Sequence, residues 1–341
     1  MKSLAIIGAS YLQRPLVERA KELGLRTICF AWAQGAVCRD ICDVFYPVSI
    51  TEKEEILRLC RAEHIDGICT IGSDVAAPTV AYVAEQMNLP GNTYEAALRA
   101  HDKYLMREAL VAAGVDCPQS GEHCALPLIV KPTDRSGSLG VRKVERQEDL
   151  EDAIRNAREL SLAGEVIVEE YIEGREISVE TISQDGHHFP LQITDKVTTN
   201  APHFVELAHY QPSSLSADMQ TRIFAITCRA LDALGLTNGA AHSEYRITDT
   251  GRIVVMEIGG RMGGDFIGSH LVKLSTGYDF LKGVIDVALG QPIQPDPKPI
   301  GRSSVVFTAP ENVSCSAERT GYIIYKNDEI YQQSIGGRTD I

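Results

Sequence analysis

The sequence predicts an α/β domain built on a parallel sheet, followed by a longer α+β region. Three patterns carry this. Strand and helix signals alternate as far as Pro90-Gly91-Asn92, strands dominate from Leu126 onward, and two glutamates fall opposite each other on a hairpin in the later part.

In the first part, Leu4 to Gly8 is a short apolar run ending in glycine, and Pro15 to Leu23 carries Leu16, Val17, Ala20 and Leu23 on one helical face. Arg26 to Phe30 reads as a strand, Glu52 to Glu63 as a helix, Ile65 to Ile71 as a strand and Val75 to Met87 as a helix. Such alternation implies a parallel sheet with helices on both faces. Gly8-Ala9-Ser10 and Gly72-Ser73-Asp74 sit at strand-to-helix turns, where open sheets bind ligands. No dinucleotide fingerprint accompanies them, so each also reads as a plain tight turn, with Ser73 or Asp74 open to substrate contact. After Asn92 a helical stretch runs through His101-Asp102-Lys103 to Gly114, and further helices are expected near 147–160, 217–234 and 278–289. Pro292 to Pro299 reads as an ordered connector. The expected division is 1–92 as an N-terminal α/β domain, 93–168 as a linker helix and small lobe, and 169–341 as a large lobe with a short C-terminal region.

The chain has 341 residues, 44% hydrophobic and 23% charged, enough for two or three domains. Lys and Arg number 33 against 46 Asp and Glu, a formal charge of -13. Such acidity argues against nonspecific nucleic-acid binding and against anionic membranes. No run reaches bilayer length, and Met1-Lys2 runs straight into strand-like residues, so no secretory signal is expected. The nine cysteines include no CxxC pair, and an odd number cannot pair completely. Reduced thiols in a cytoplasm fit best.

Leu128-Ile129-Val130 is an apolar strand that delivers Lys131, and the loop Asp134 to Val141 that follows is rich in glycine and serine. Small residues let backbone N–H groups converge on an anion; Ser136, Gly137 and Ser138 could do so, with Lys131 as counter-charge. The same loop is also compatible with a simple hairpin. It is not a Walker loop, since no Gly-Lys-Ser/Thr follows.

Ala240 to Ile247 and Arg252 to Ile258 read as strands joined by Thr248-Asp249-Thr250-Gly251. A turn centred between Thr250 and Gly251 sets Glu244 opposite Glu257. Opposed carboxylates with Cβ atoms about 4.5–5.5 Å apart repel. A hard divalent cation would neutralise them; solvated glutamates, or a bulge separating them, are the alternatives. Gly259-Gly260-Arg261-Met262-Gly263-Gly264-Asp265 follows, and Arg261 there could stabilise a transferring phosphoryl group or form a structural ion pair.

In this order the motifs resemble the ATP-grasp superfamily over nearly the whole chain. The resemblance implies the ATP-grasp fold, in which Val166 to Glu176 runs between two lobes that clasp ATP. It implies that Glu169 and the backbone of Glu170, Tyr171 and Ile172 meet adenine, that Glu176 binds the ribose, and that Lys103 and Lys131 hold phosphates. Ser136, Gly137 and Ser138 would close over the triphosphate. Glu244 and Glu257 would bind Mg²⁺ (or Mn²⁺), with Arg261 and Lys131 as catalytic groups. Gly8 to Gln13, Phe204 to His209 and Arg261 to Asp265 look like segments of L-amino-acid (dipeptide) ligases. That similarity makes Glu206, His209, Arg261, Gly263 and Gly264 substrate-pocket candidates. The implied activity is magnesium-dependent joining of a small-molecule carboxylate to an amine through an acyl phosphate. A purine-pathway type of carboxylating ligase, or a nucleotide-binding protein without activity, is the rival reading. Gly259 stands where the family usually has asparagine as a further metal ligand, Ala208 stands where glycine is usual, and the region after Gly290 is short. A second copy of the chain is the expected partner on the prevalence of two-fold assemblies.

Overall fold

The computed structural model describes residues 1–121, 124–199, 201, 203–309 and 319–335. Its strands form three sheets. The first contains β1 (Ser3–Ile7), β2 (Arg26–Phe30), β3 (Val44–Tyr46) and β4 (Gly67–Cys69), ordered β3-β2-β1-β4, all parallel. Their apolar runs are buried because both faces are covered, as a parallel sheet requires. Helices α1 (Arg14–Glu22), α2 (Lys53–Glu63) and α3 (Ala77–Gln86) alternate with the strands as predicted. β2 matches its predicted span, β4 and α3 are shorter than their signals, and the half-buried three-residue β3 was not anticipated.

Helix α4 (Tyr94–His101) is separated from α5 (Lys103–Ala112) by Asp102. That aspartate caps α5: Oδ1 accepts from the N–H groups of Tyr104 at 2.9 Å and Leu105 at 3.0 Å. Lys103 therefore opens a helix with its direction fixed.

The second sheet, β6-β5-β7, joins β5 (Leu128–Pro132), β6 (Arg142–Val144) and β7 (Val166–Glu170), all antiparallel, with α6 (Leu150–Leu160) packed against it. Residues 171–174 leave β7 and enter the third sheet.

That sheet has eight antiparallel strands. They are β8 (Arg175–Gln184), β9 (His187–Thr198), β10 (Glu206–Gln211), β11 (Gly239–Ile247), β12 (Ile253–Gly259), β13 (Ser303–Thr308), β14 (Gly321–Lys326) and β15 (Glu329–Ile335), ordered β12-β11-β8-β9-β10-β13-β14-β15. Helix α7 (Ala217–Leu234) matches its predicted span. The helices α8 (Val272–Thr276) and α9 (Phe280–Ala288) follow β12, and α9 packs beside α1 on the parallel sheet.

Side chains alternate across this sheet. Ile177, Val179, Tyr245, Ile247 and Val255 point to a core shared with α4, α5 and α7. Glu176, Ser178 and Glu180 of β8 lie opposite Arg246, Glu244 and His242 of β11, on the other face. One face is thus apolar and the other carries a polar stripe.

Glu244 does pair with Glu257, though not through the predicted turn. Next to the turn Ile247 pairs with Ile253, one residue off the expected register. A β-bulge at Met256 restores the alignment, so the bulge brings the two glutamates together instead of separating them. Among the described residues no helix is long and apolar enough to cross a membrane. The eight described cysteines are free; Cys315 lies outside the described residues.

Candidate active site

A cleft opens between the three-stranded sheet and the polar face of the eight-stranded one. Helix α5 and the turn after β4 close its back. Lys103, Lys131, Arg261, Glu244 and Glu257 all line it, so residues spread over much of the chain meet in one place.

Glu169 is 0% exposed and anchors the small-lobe wall. Lys131 Nζ and Arg107 both pair with its carboxylate, Arg107 Nη2 at 3.0 Å. Burial alone would raise this carboxyl, but Arg107 and Lys131 outweigh it and hold it below its usual range. Burial, reinforced by Arg107 and Lys103, lowers Lys131. Arg107 Nη2 also donates to the Met256 carbonyl at 2.7 Å, the carbonyl freed by the bulge. A bulge residue, a helix and the small sheet are thereby tied together.

The two glutamates already have cationic partners. Lys103 Nζ lies 3.2 Å from Glu257 Oε1 and donates to the Arg135 carbonyl at 2.6 Å. Lys196 Nζ lies 2.7 Å from Glu244 Oε1 and pairs with Glu206 as well. Two lysines thus offset the charge of the pair, and Lys196 was not foreseen. His242 donates from Nε2 to Glu244 at 3.3 Å and from Nδ1 to buried Glu180 at 2.5 Å. Burial would lower this imidazole, but Glu180 outweighs burial and pushes its pKa up to about 9. Lys196 and His242 in turn hold Glu244 well below the usual carboxylate range against the effect of burial. The Oε2 atoms of Glu244 and Glu257 accept no hydrogen bond among the described residues. Two anionic oxygens facing one cleft are the donor set Mg²⁺ takes alongside phosphate oxygens, so the residues fit that ion.

Gly259 has a physical reason. A Cβ there would lie 2.3 Å from Asp74 Oδ1 and 3.1 Å from Arg261 Nε. Asp74, from the turn after β4, clamps Arg261 with two bonds, 2.8 Å to Nε and 2.6 Å to Nη2. The ion pair fills the space where an asparagine side chain would begin. Arg261 keeps Asp74 deprotonated although burial opposes it. Gly263 is equally constrained: its N–H donates to Glu180 Oε2 at 3.0 Å, and a Cβ would meet Glu180 Oε1 at 2.4 Å.

Of the residues expected to meet ATP, Lys103, Lys131, Ser136, Gly137, Ser138, Glu169, Tyr171, Ile172 and Glu176 line the cleft; Glu170 does not. The Glu170 N–H donates to the Gln119 carbonyl at 2.9 Å and that of Tyr171 to Pro127 at 3.2 Å, so neither is free for adenine. Ser138 Oγ donates to the Phe204 carbonyl at 3.1 Å and latches the glycine loop to the large lobe. Arg246 bonds the Ile172 carbonyl at 2.6 Å and Glu176 at 3.2 Å.

Among the substrate candidates, Glu206 and Arg261 line the cleft, Gly263 packs on Glu180 and His242, and Gly264 abuts Gly72. His209 is buried behind Glu206, with Nε2 3.3 Å from Glu206 Oε2 and 3.7 Å from Asp265 Oδ2. Glu206, His209 and Asp265 offer atoms within 4.8 Å of one another. Lys196 already neutralises Glu206, and Arg319 binds Asp265 at 2.7 and 2.8 Å, so the trio has no excess negative charge for a divalent ion. Sequence reasoning missed His242, which lines the cleft, and Arg107, Glu180 and Lys196, which pair with the lining residues Glu169, His242 and Glu244 from behind; no local motif signals them.

The chain has the ATP-grasp fold, and residues 124–269 match the model of the ATP-grasp domain family. It resembles carboxylate–amine ligases in particular. It is 28% identical over 268 residues to an alanine–anticapsin ligase of Bacillus subtilis, covering 69% of this chain and 56% of that protein. It is 25% identical to carnosine synthase 1 of Gallus gallus, over 94% of this chain and 38% of that one. The chain thus spans about half the length of the curated relatives it matches. The crystal structure of an L-amino acid ligase from Bacillus licheniformis superposes with a TM-score of 0.80 at 26% identity, covering 92% of this chain and 81% of that one.

Proposed function

We propose that this protein is an ATP-dependent carboxylate–amine ligase acting on amino-acid-like substrates. One observation carries the reading: Lys103, Lys131 and Arg261 converge with the facing Glu244 and Glu257 on a single cleft between two sheets. That array suits a polyphosphate held at one end by cations and at the other by a carboxylate-bound ion.

A substrate carboxylate oxygen attacks the γ-phosphorus, the bond from phosphorus to the β–γ bridging oxygen breaks, and ADP leaves. The amine nitrogen then attacks the acyl carbon, the carbon–oxygen bond to phosphate breaks, and the nitrogen loses a proton to solvent as the amide forms. Lys131 and Arg261 stabilise the charge on the transferring group, and Asp74 keeps the guanidinium oriented. Glu206 meets the substrate, with His209 and Lys196 fixing its carboxylate. Glu169, Tyr171, Ile172 and Glu176 form the nucleoside wall, and Ser136 to Ser138 cover the phosphates. Mg²⁺ held by Glu244 and Glu257 would neutralise phosphate oxygens when bound. Residues 1–92, 93–168 and 169–341 serve as the α/β domain, small lobe and large lobe. Free cysteines support a cytoplasmic setting, and two-fold assembly is the proposed quaternary state.

Hydroxylamine captures acyl phosphates as hydroxamates. Incubation with Mg·ATP, hydroxylamine and each proteinogenic amino acid should yield ADP and a hydroxamate with at least one donor. Bound ATP with no turnover for any donor would sink the proposal.

A further inference from the structure

A second cavity of about 640 Å³ lies beyond the nucleotide cleft, against the carboxyl ends of β1, β2 and β4. Its size suits a small organic ligand. The glycine turns after β1 and β4 form part of its floor, and Leu162 of the small lobe faces them. Trp32, the only tryptophan of the chain, stands on its wall with 71% of its surface exposed. A large indole left in solvent beside apolar walls is an unused contact surface.

The cavity adjoins the reaction centre. Ser73 lines it, while the next residue, Asp74, lines the nucleotide cleft and holds Arg261. Arg135 lines both spaces. Its Nε donates to the Leu160 carbonyl at 2.6 Å, and its carbonyl accepts from Lys103, which fixes the residue. Its Nη1 and Nη2 have no partner among the described residues. Among the described residues, Arg135 is the only charged one of the lining.

We propose that this cavity is the subsite for the amine co-substrate, an amino acid whose large apolar or aromatic side chain lies on Trp32 and whose carboxylate meets Arg135. The assignment rests on the ligase reading above. It deepens that reading by placing the acceptor at the edge of the N-terminal sheet and setting its side-chain class.

With a single tryptophan, fluorescence excited selectively at the indole and not at the tyrosines reports this wall alone. L-Phenylalanine and L-leucine should shift the emission of Mg·ADP-loaded enzyme saturably, and glycine should not. Using the donor that gives most hydroxamate, Trp32→Ala should raise KM for L-phenylalanine as acceptor about tenfold, the effect of losing one aromatic contact. KM for ATP and hydroxamate formation should stay as in the parent, because hydroxylamine needs no side-chain subsite. If no donor yields hydroxamate, the ligase reading falls and this assignment with it. If hydroxamate forms but neither apolar amino acid is an acceptor, or Trp32→Ala leaves its KM unchanged, or the emission does not move, the cavity is not the acceptor site and the ligase reading stands.

Discussion

Replacing Gly259 with alanine adds one methyl group at the most crowded point of the site. The added carbon would lie 2.3 Å from Asp74 Oδ1, 3.1 Å from Arg261 Nε and 3.3 Å from Arg261 Cζ. The backbone at 259 is outside the left-handed region, so the penalty comes from contact alone. The Asp74 carboxylate stands close to its own backbone and must rotate away, giving up its bonds of 2.8 and 2.6 Å to Arg261. Both side chains are largely buried. Breaking such a pair costs roughly 3–5 kcal/mol, and the reduced freedom of the unfolded chain returns up to about 1 kcal/mol. A net loss of about 2–4 kcal/mol follows. In an Asp74→Ala background the closest obstruction is gone and an unclamped Arg261 can give way, so Gly259→Ala should cost less than about 0.5 kcal/mol. Urea unfolding of the parent, both single variants and the double variant, compared at equal m-values, gives the coupling directly. Additivity within about 0.5 kcal/mol would refute the claim that Gly259 exists to admit the Asp74–Arg261 clamp.

Three further outcomes are expected. Lys196→Met keeps the side chain's bulk but leaves Glu206 and Glu244 without their shared cation; it should destabilise by roughly 3 kcal/mol, read by chemical denaturation. Burial lowers His270 from 6.5 to about 4, so the unfolded chain binds its proton first. Its contribution to stability is present above pH 6.5 and is lost as pH falls toward 4, about 3 kcal/mol in all. His270→Gln should flatten that decline in a pH series of unfolding curves. Glu257→Ala removes one of the two facing carboxylates and should abolish ATP-dependent phosphate release while calorimetry still detects ADP binding; retained turnover would remove Glu257 from the metal site.

The facing glutamates were legible because two-residue alternation and a turn signal are local features. The register that produces them was not, since it depends on the bulge at Met256, which Arg107 holds from another helix. Strand β11 and helix α7 matched their patterns closely because each buries one face whose spacing is local and regular. Lys196 could not have been picked out: β9 meets β11 only across β8, and nothing near residue 196 signals that order. Asp74 was noticed as a turn residue open to substrate contact and not as an arginine clamp, because its partner Arg261 is distant in sequence and belongs to another sheet's loop. Short-range chemistry could be read from composition and spacing, whereas the ion pairs that tie the sheets together needed the topology.

Helix α5 lies outside the segment that matches the ATP-grasp family, residues 124–269. Yet Lys103 and Arg107 reach from it to Glu257, Glu169 and the Met256 carbonyl. A fragment cut at the limits of the matching segment would lose both cations and Asp74, leaving Glu257 without Lys103, Arg261 without its carboxylate and Glu169 with Lys131 alone. Anyone trimming this protein to a minimal nucleotide-binding piece, or grafting that piece onto another scaffold, must carry the preceding helix and the tip of the first sheet along with it.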